Sequence, residues 1–220
     1  MALILNIDTA IETASVCLAK DGKAISITKN EKQKDHAAWL HLAIKEIFEQ
    51  NNSELKAIDA IAITGGPGSY TGLRIGMATA KGICYALNKP LIILNTLLVM
   101  AKTATGETAH LLCPMIDARR MEVFTAIYAK NLQIIKEPSA IELNEKSFDE
   151  VLSGNSICFF GNGSKKFQAI KKNQQAIFID INSDASSMAS LSEEKFKQKE
   201  FADLAYAEPL YLKEFYTPVR

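Results

Sequence analysis

The amino-terminal part of the chain is predicted to form three antiparallel strands. Residues 2–7 are almost continuously apolar, which is typical of a strand buried on both faces. Residues 13–19 and 24–28 mix apolar and polar side chains on either side of Asp21-Gly22, a dipeptide that favours a two-residue hairpin turn. We therefore expect the first strand near the centre of a sheet, with a hairpin beside it.

Helices alternate with strands in the part that follows. Residues 35–50 repeat apolar positions at helical spacing, and Asp35 is a candidate N-cap. The next predicted elements are a strand over 58–63, a helix over 72–87 that ends at Asn88 and Pro90, a strand over 91–94 and a helix over 96–102. Strands that are joined by helices run parallel to each other, so the sheet is expected to continue with parallel strands.

The second half repeats the beginning of the first in a shortened form. Residues 110–116 lead to Asp117 as residues 2–7 lead to Asp8. The elements predicted next are strands over 122–129, around 132–135, over 157–160 and over 176–180, and a helix over 185–197. This order resembles the α/β ribonuclease-H-like fold, which the actin, hexokinase and Hsp70 (ASKHA) class of ATPases contains twice. We predict two such domains, residues 1–104 and residues 105–220, the second abridged.

A glycine-rich stretch, TGGPGSYTGLRIG at residues 64–76, connects the strand over 58–63 to the next helix. Backbone N–H groups in such a turn, together with the positive end of a helix, favour an anion such as phosphate. The stretch lacks the Gly-Lys-Ser/Thr of a P-loop, and its position does not fit a dinucleotide fingerprint. A phosphate loop and a purely structural connection therefore both stay open. We predict Thr71 as the helix N-cap.

Asp8 is a second candidate at the same place, because a carboxylate at the end of a buried strand is costly unless it is paired. The alternative is that Asp8 only caps the turn that follows. The candidate nucleotide or phosphate contacts are Asp8, Gly65, Gly66, Gly68, Ser69 and Thr71.

Two groups of residues point to an interface between proteins. Trp39, the only tryptophan, and Leu42 lie off the apolar face of their helix, so Trp39 is either an interface anchor or part of a wider core face. Small residues recur along the helix over 72–87, which allows another backbone to approach closely, on either the home sheet or a partner helix. The candidate interface residues are Trp39, Leu42, Gly72, Gly76, Thr79, Ala80 and Ile83.

Composition excludes several classes of protein. Lys+Arg and Asp+Glu are equal at 25 each, which argues against a generic nucleic-acid binder. A local basic patch at Lys165, Lys166, Lys171 and Lys172 is also explained by a solvated helix face.

Metal, redox and membrane roles find no support in the sequence. The four cysteines are scattered without a Cys-x-x-Cys pair, which predicts buried free thiols. His36 and His41 lie five residues apart and cannot share a helix face as zinc ligands do. No signal peptide is recognised, and no apolar run approaches the roughly 20 residues that span a membrane. We expect a cytoplasmic protein with no metal and no cofactor.

Four segments resemble the TsaB (YeaZ) family. The most specific is GPGSYTGLRIG at residues 66–76; LNIDTA at 5–10, MIDAR at 115–119 with EVF at 122–124, and EPLYLK at 208–213 are similar too. The resemblance covers the whole chain in order and in length. It implies a role in forming threonylcarbamoyladenosine at position 37 of ANN-decoding tRNAs.

The resemblance also implies which role each subunit of the complex has. In that family a paralogous partner, TsaD, catalyses the transfer with its metal and ATP site, and TsaE joins as an ATPase. TsaB is a non-catalytic scaffolding or activating subunit, able to homodimerise, that meets tRNA only through the complex. Two alternatives from other classes are a small-molecule kinase or ATPase of the actin-like superfamily, and a peptidase.

The residues themselves fit the non-catalytic interpretation. An ATPase of this superfamily needs a glycine-rich phosphate loop after the acid of its second half, whereas Asp117 is followed by Ala118-Arg119-Arg120-Met121. Residues 161–164, GNGS, are predicted to form a plain turn. No nucleophile–base pair is recognised among three scattered histidines.

Overall fold

The computed structural model describes residues 2–30 and 36–213. Its first sheet has the strand order β3-β2-β1-β4-β5. These strands are β1 (Leu3–Asp8), β2 (Ala14–Lys20), β3 (Lys23–Asn30), β4 (Ala60–Thr64) and β5 (Leu91–Leu94). The first three are antiparallel, whereas β4 and β5 run parallel to β1. The predicted hairpin, central first strand and parallel continuation are confirmed.

Three helices belong to this first half: α1 (His36–Gln50), α2 (Tyr70–Leu87) and α3 (Thr96–Thr103). Side chains of α1 and α2, among them Leu40 and Met77, pack on one face of the sheet against Leu5 and Ile7 of β1. Asn88 ends α2 in the left-handed conformation, as predicted, and its N–H donates to the carbonyl of Cys84. The predicted cap of α1, Asp35, lies outside the described residues.

The second sheet has the order β10-β9-β6-β7-β8, which is the same topology as the first. Its strands are β6 (Leu111–Asp117), β7 (Glu122–Ala129), β8 (Ile134–Glu142), β9 (Ile157–Phe160) and β10 (Ala176–Phe178). In the described part of the second half, two short helices lie between these strands, α4 (Asp149–Leu152) and α5 (Ser164–Ile170). The predicted third strand at 132–135 was too short, because β8 begins at Ile134 and pairs along β7 as far as Glu142.

The last helical segment packs on the first sheet, although it follows the second sheet in the sequence. A 3-10 turn (Ala185–Met188) and α6 (Ala189–Gln198) leave the second sheet and pack on the first. They bury the face of the first sheet opposite α1 and α2, which presents Ile4, Cys17 and Ile92. Because that face is apolar, it must be buried against another element. The 3-10 turn and α6, which follow the abridged second half, bury it.

Met188 tests this packing. Its side chain is fully buried against the first sheet, so Met188→Ala is expected to lower the free energy of unfolding by about 2–5 kcal/mol. Met121→Ala is the matched control, because Met121 is 37% exposed and its truncation is expected to cost within about 0.5 kcal/mol. Urea denaturation measures both. Equal effects of the two substitutions would contradict the assigned role of the last helical segment.

Candidate functional site

The glycine-rich stretch turns from the end of β4 into α2. Ser69 is the N-cap of this helix, since its Oγ accepts a hydrogen bond from the N–H of Gly72 at 3.3 Å. The prediction of Thr71 as the cap was wrong, because Thr71 already lies in the first turn. The N–H of Ser69 donates to the carbonyl of Ala10 at 2.7 Å, which ties the turn to the segment after β1.

Each glycine before the helix is required by a contact within the chain. A β-carbon at Gly65 would overlap the side chain of Ile93, and one at Gly68 would overlap the carbonyl of Ala10. Gly66 has a φ of +113°, and a β-carbon there would lie 2.5 Å from the carbonyl oxygen of Leu210. The chain itself therefore occupies the space that these glycines leave open.

The same close approach continues along α2. β-carbons at Gly72 and Gly76 would overlap Thr9, whose hydroxyl donates to the carbonyl of Gly72 at 2.8 Å. Gly82, by contrast, faces open space with nothing within 4 Å. The sequence left two uses for these glycines open, and the structure distinguishes them by position. Gly72 and Gly76 pack on the end of β1, whereas Gly82 lies on the outside of the helix.

Asp8 lies at the centre of this arrangement and is fully buried. Its Oδ1 accepts hydrogen bonds from the Thr64 hydroxyl at 2.7 Å and the Ala10 N–H at 3.0 Å. Its Oδ2 has no hydrogen-bond partner within the described part of the chain. Burial raises the pKa of Asp8 from 3.8 to about 6, despite the two hydrogen bonds, and the nearby charge of Asp184 adds to the rise. Asp8 thus bonds to the turn, as the alternative interpretation proposed, and keeps one oxygen unpaired.

The equivalent acid of the second half has different surroundings. Asp117 is exposed at the end of β6, and its carboxylate accepts from the Arg119 N–H and the Lys166 ammonium, each at 2.6 Å. Arg119 and Arg120 in the connection to β7 have φ values of 70° and 48°. Such a conformation costs a residue with a β-carbon roughly 1–2 kcal/mol. The four residues after Asp117 thus turn tightly back into β7.

Residues 161–164 form a turn, as predicted. The side chain of Asn162 accepts from the Asp117 N–H at 2.8 Å, and a β-carbon at Gly163 would lie 3.1 Å from that nitrogen. The predicted basic patch nearby is not one solvated face. Lys171 is buried and pairs with the carboxylate of Asp149, whereas Lys165 and Lys172 are exposed.

A feature that sequence reasoning missed is the path of residues 202–213, here called the C-terminal strap. The Leu210 N–H donates to the carbonyl of Gly65 at 2.7 Å. The ring of Tyr211 packs at a tilt of 38° against that of Tyr70, and the Tyr211 hydroxyl accepts from Arg74 at 3.2 Å, which fastens the strap to the start of α2. The only sequence signal was the segment 208–213 within the family resemblance, and no pattern indicated where it would lie.

The predicted interface residues divide by exposure. Gly72, Gly76, Thr79 and Ala80 are buried against the home core. This burial leaves those four little exposed surface of their own. Trp39 and Ile83 are half-buried and pack partly on the core, and Leu42 is 61% exposed.

Exposed apolar and small residues nevertheless cover the outside of α1 and α2. We call this the outer helical surface; it consists of Leu42, Ala78, Gly82, Tyr85 and Ala86. Tyr85 is 83% exposed, which is unusual for an aromatic residue in the middle of a long helix.

Groups that would carry other chemistry are buried or dispersed. Burial raises the pKa of the Cys17, Cys113 and Cys158 thiols to about 12 and that of Cys84 to about 11. Within residues 2–30 and 36–213, no group of three or more His, Cys, Asp or Glu residues is placed to hold a metal ion. None of the described helices is both long and apolar enough to cross a membrane.

The glycines of α2 give a matched pair of substitutions. Gly72→Ala places a methyl group against the Thr9 carbonyl and is expected to destabilise the chain by about 1–3 kcal/mol. Gly82→Ala meets no atom and is expected to stabilise it by up to about 1 kcal/mol through helix propensity. Urea denaturation measures both values. Opposite signs are expected, and a loss of stability in both variants would refute the assigned packing.

Asp8 gives a prediction about pH. Because its pKa is raised, the Asp8 carboxyl binds a proton more tightly in the folded state than in the unfolded state. The protonated carboxyl therefore contributes fully to the free energy of unfolding below pH 3.8, and this contribution is lost as pH rises through about 6. Asp8→Asn removes this loss and is expected to raise the free energy of unfolding by about 3 kcal/mol at pH 8. At pH 5 the gain is expected to be about half as large.

Denaturation at the two pH values measures this difference. Asp180→Asn, at an exposed aspartate, is the control and is expected to change neither value. An equal gain at both pH values would contradict the assigned protonation of Asp8.

Comparison with known proteins places these features in a family. A family model described as "TsaD: tRNA N6-adenosine threonylcarbamoyltransferase" matches residues 25–214. The tRNA threonylcarbamoyladenosine biosynthesis protein TsaB of Buchnera aphidicola subsp. Baizongia pistaciae is 34% identical over 74% of this chain and 76% of its own length. The TsaB of Escherichia coli K12 is 29% identical over 96% of this chain and 94% of its own length.

A solved structure shares the fold. A Pseudomonas aeruginosa protein, described as having similarity to peptidase YEAZ, superimposes with a TM-score of 0.86 at 24% identity over 97% of this chain and 100% of its own. The two ribonuclease-H-like halves are thereby confirmed. With the sequence relatives above, the chain belongs to the TsaB family of tRNA threonylcarbamoyladenosine biosynthesis proteins.

Proposed function

We propose that the chain is a non-catalytic scaffolding or activating subunit in the cytoplasmic complex that transfers a threonylcarbamoyl group to N6 of adenosine 37 in ANN-decoding tRNAs. TsaD is its direct partner, and TsaE joins the complex. The observation that carries this proposal is the outer helical surface, where Leu42 and Tyr85 are exposed although other large apolar residues of their helices, such as Leu40 and Met77, pack in the core.

The surface suits a helical partner. Leu42 and Tyr85 are large exposed side chains on this surface, and aromatic residues such as Tyr85 are enriched at the centres of interfaces, where charged residues are depleted. Gly82 has empty space above it, which lets another backbone come close. Because Gly72 and Gly76 hold α2 against Thr9, the surface is presented in one fixed orientation. A preorganised surface loses little entropy when a partner binds.

The surroundings of the candidate catalytic groups support a role other than catalysis. The cysteine thiols are buried with raised pKa values, which disfavours the nucleophilic thiolate. Asp117 is engaged by Lys166, and the residues after it turn without glycine. These contacts disfavour the peptidase and give no cradle for phosphate in the second half.

One observation favours the alternative of a nucleotide-binding kinase or ATPase. Asp8 has a buried oxygen with no partner in the described chain, beside the glycine-rich stretch. Phosphate contact by residues 65–71 therefore stays a prediction. Calorimetry of the isolated chain with ATP and magnesium decides between the proposals: binding near micromolar favours the alternative, and the absence of heat favours the scaffold.

Leu42→Lys tests the interface. A charge at the centre of an apolar contact is expected to weaken binding to TsaD at least about tenfold, because the ammonium loses water without gaining a partner. Isothermal titration of the two purified subunits measures the affinity, and reconstituted tRNA modification is expected to fall in parallel. Ile25→Lys is the control, because Ile25 is 49% exposed on the edge strand β3 and is not part of the outer helical surface.

Undiminished binding of the Leu42→Lys variant to TsaD would refute the assigned surface. Analytical sedimentation of the isolated chain measures its self-association. Loss of self-association with unchanged TsaD binding would assign the surface to a homodimer instead.

A further inference from the structure

The connection between β6 and β7 has an unusual backbone. Arg119 and Arg120 have φ values of 70° and 48°, and they are the only adjacent non-glycine residues with positive φ within the described ranges. Glycine or asparagine adopts this conformation at lower cost, so arginine at both positions is unfavourable for the turn itself. Strain of this kind often accompanies a functional role of the side chains.

The neighbouring carboxylates are already engaged by lysines. Asp117 accepts from Lys166 at 2.6 Å, and Glu122 pairs with Lys213. Arg119 contacts the Asp117 carboxylate through its backbone N–H, which donates a hydrogen bond, and not through its guanidinium. Both arginines are exposed, and neither guanidinium has an ion-pair partner among the residues that the structure describes.

Positive charge is thus concentrated at one end of the second sheet. Arg119, Arg120 and the exposed Lys165 join the paired Lys166 and Lys213, giving five cations against the three carboxylates of Asp117, Glu122 and its β8 neighbour Glu142. The whole chain has a formal charge of zero, so this cluster is a local departure from its average. An exposed cationic cluster attracts a polyanion and raises its rate of association.

We propose that the Arg119–Arg120 turn binds the phosphodiester backbone of the tRNA within the modification complex. The inference rests on the proposed function, which supplies the RNA. The planar guanidinium donates two parallel hydrogen bonds to phosphate oxygens, and two exposed guanidiniums in sequence fit successive phosphates of one strand. Such contacts orient the RNA and carry no sequence information, which suits a subunit that accompanies a separate catalyst.

The test uses the double substitution Arg119→Gly/Arg120→Gly. Glycine accommodates both φ values, so urea denaturation of the chain is expected to show equal or greater stability. Binding of an unmodified ANN-decoding tRNA transcript is expected to weaken about fivefold or more near physiological salt. The slope of log affinity against log salt is expected to fall by about 1 to 2, since each lost phosphate contact removes roughly 0.9.

Two controls accompany it. Lys20→Ala/Lys23→Ala removes the same charge from the β2–β3 hairpin and is expected to leave the tRNA affinity unchanged. Arg119→Lys/Arg120→Lys keeps the charge and is expected to retain most of the salt slope while losing part of the affinity. Filter binding is measured both for the complex with TsaD and for the isolated chain.

Unchanged tRNA affinity and salt slope in the glycine variant would overturn the inference. Weaker binding to TsaD with intact tRNA binding would also overturn it, because the turn would then be a protein interface. Failure of the unsubstituted chain to assemble with TsaD counts against the proposed function alone, since tRNA binding by the isolated chain still decides the role of the turn.

Discussion

The contact between Thr9 and the first turns of α2 is the constraint on which the functional half depends. The Thr9 hydroxyl donates to the carbonyl of Gly72, and Gly72 and Gly76 have no side chains that would keep the helix away. This contact fixes the angle of a long helix relative to the central strand. The inner side of α2 then completes the core, and its outer side, with Gly82 and Tyr85, is exposed.

Much of this arrangement is predictable from local patterns. The hairpin at Asp21-Gly22, the parallel strands and the end of α2 at Asn88 follow from turn chemistry and periodicity, which act over a few residues. The glycine-rich stretch was recognisable, but its purpose was not. A gap that glycines leave is filled either by a ligand or by the chain, and only the fold shows that Ala10, Ile93 and Leu210 fill it.

What sequence reasoning missed depends on contacts between distant parts of the chain. Leu210 lies against Gly66, and Met188 covers the first sheet, although nothing in the local pattern of either residue indicates its neighbour. The cap of α2 was misplaced by two residues because Ser69 and Thr71 have the same hydroxyl chemistry. The burial of Thr79 and Ala80 was equally invisible, since helical spacing identifies a face without identifying what covers it.

The position of α6 has a consequence for how the protein is made. The central strand β1 is synthesised long before Ala189–Gln198, which packs on the same sheet. This face of the first sheet therefore remains incompletely covered until α6 has been synthesised, and its folding waits for contacts of large sequence separation. Premature termination before α6 leaves a nascent chain with an exposed apolar sheet, which is a substrate for chaperones and proteases.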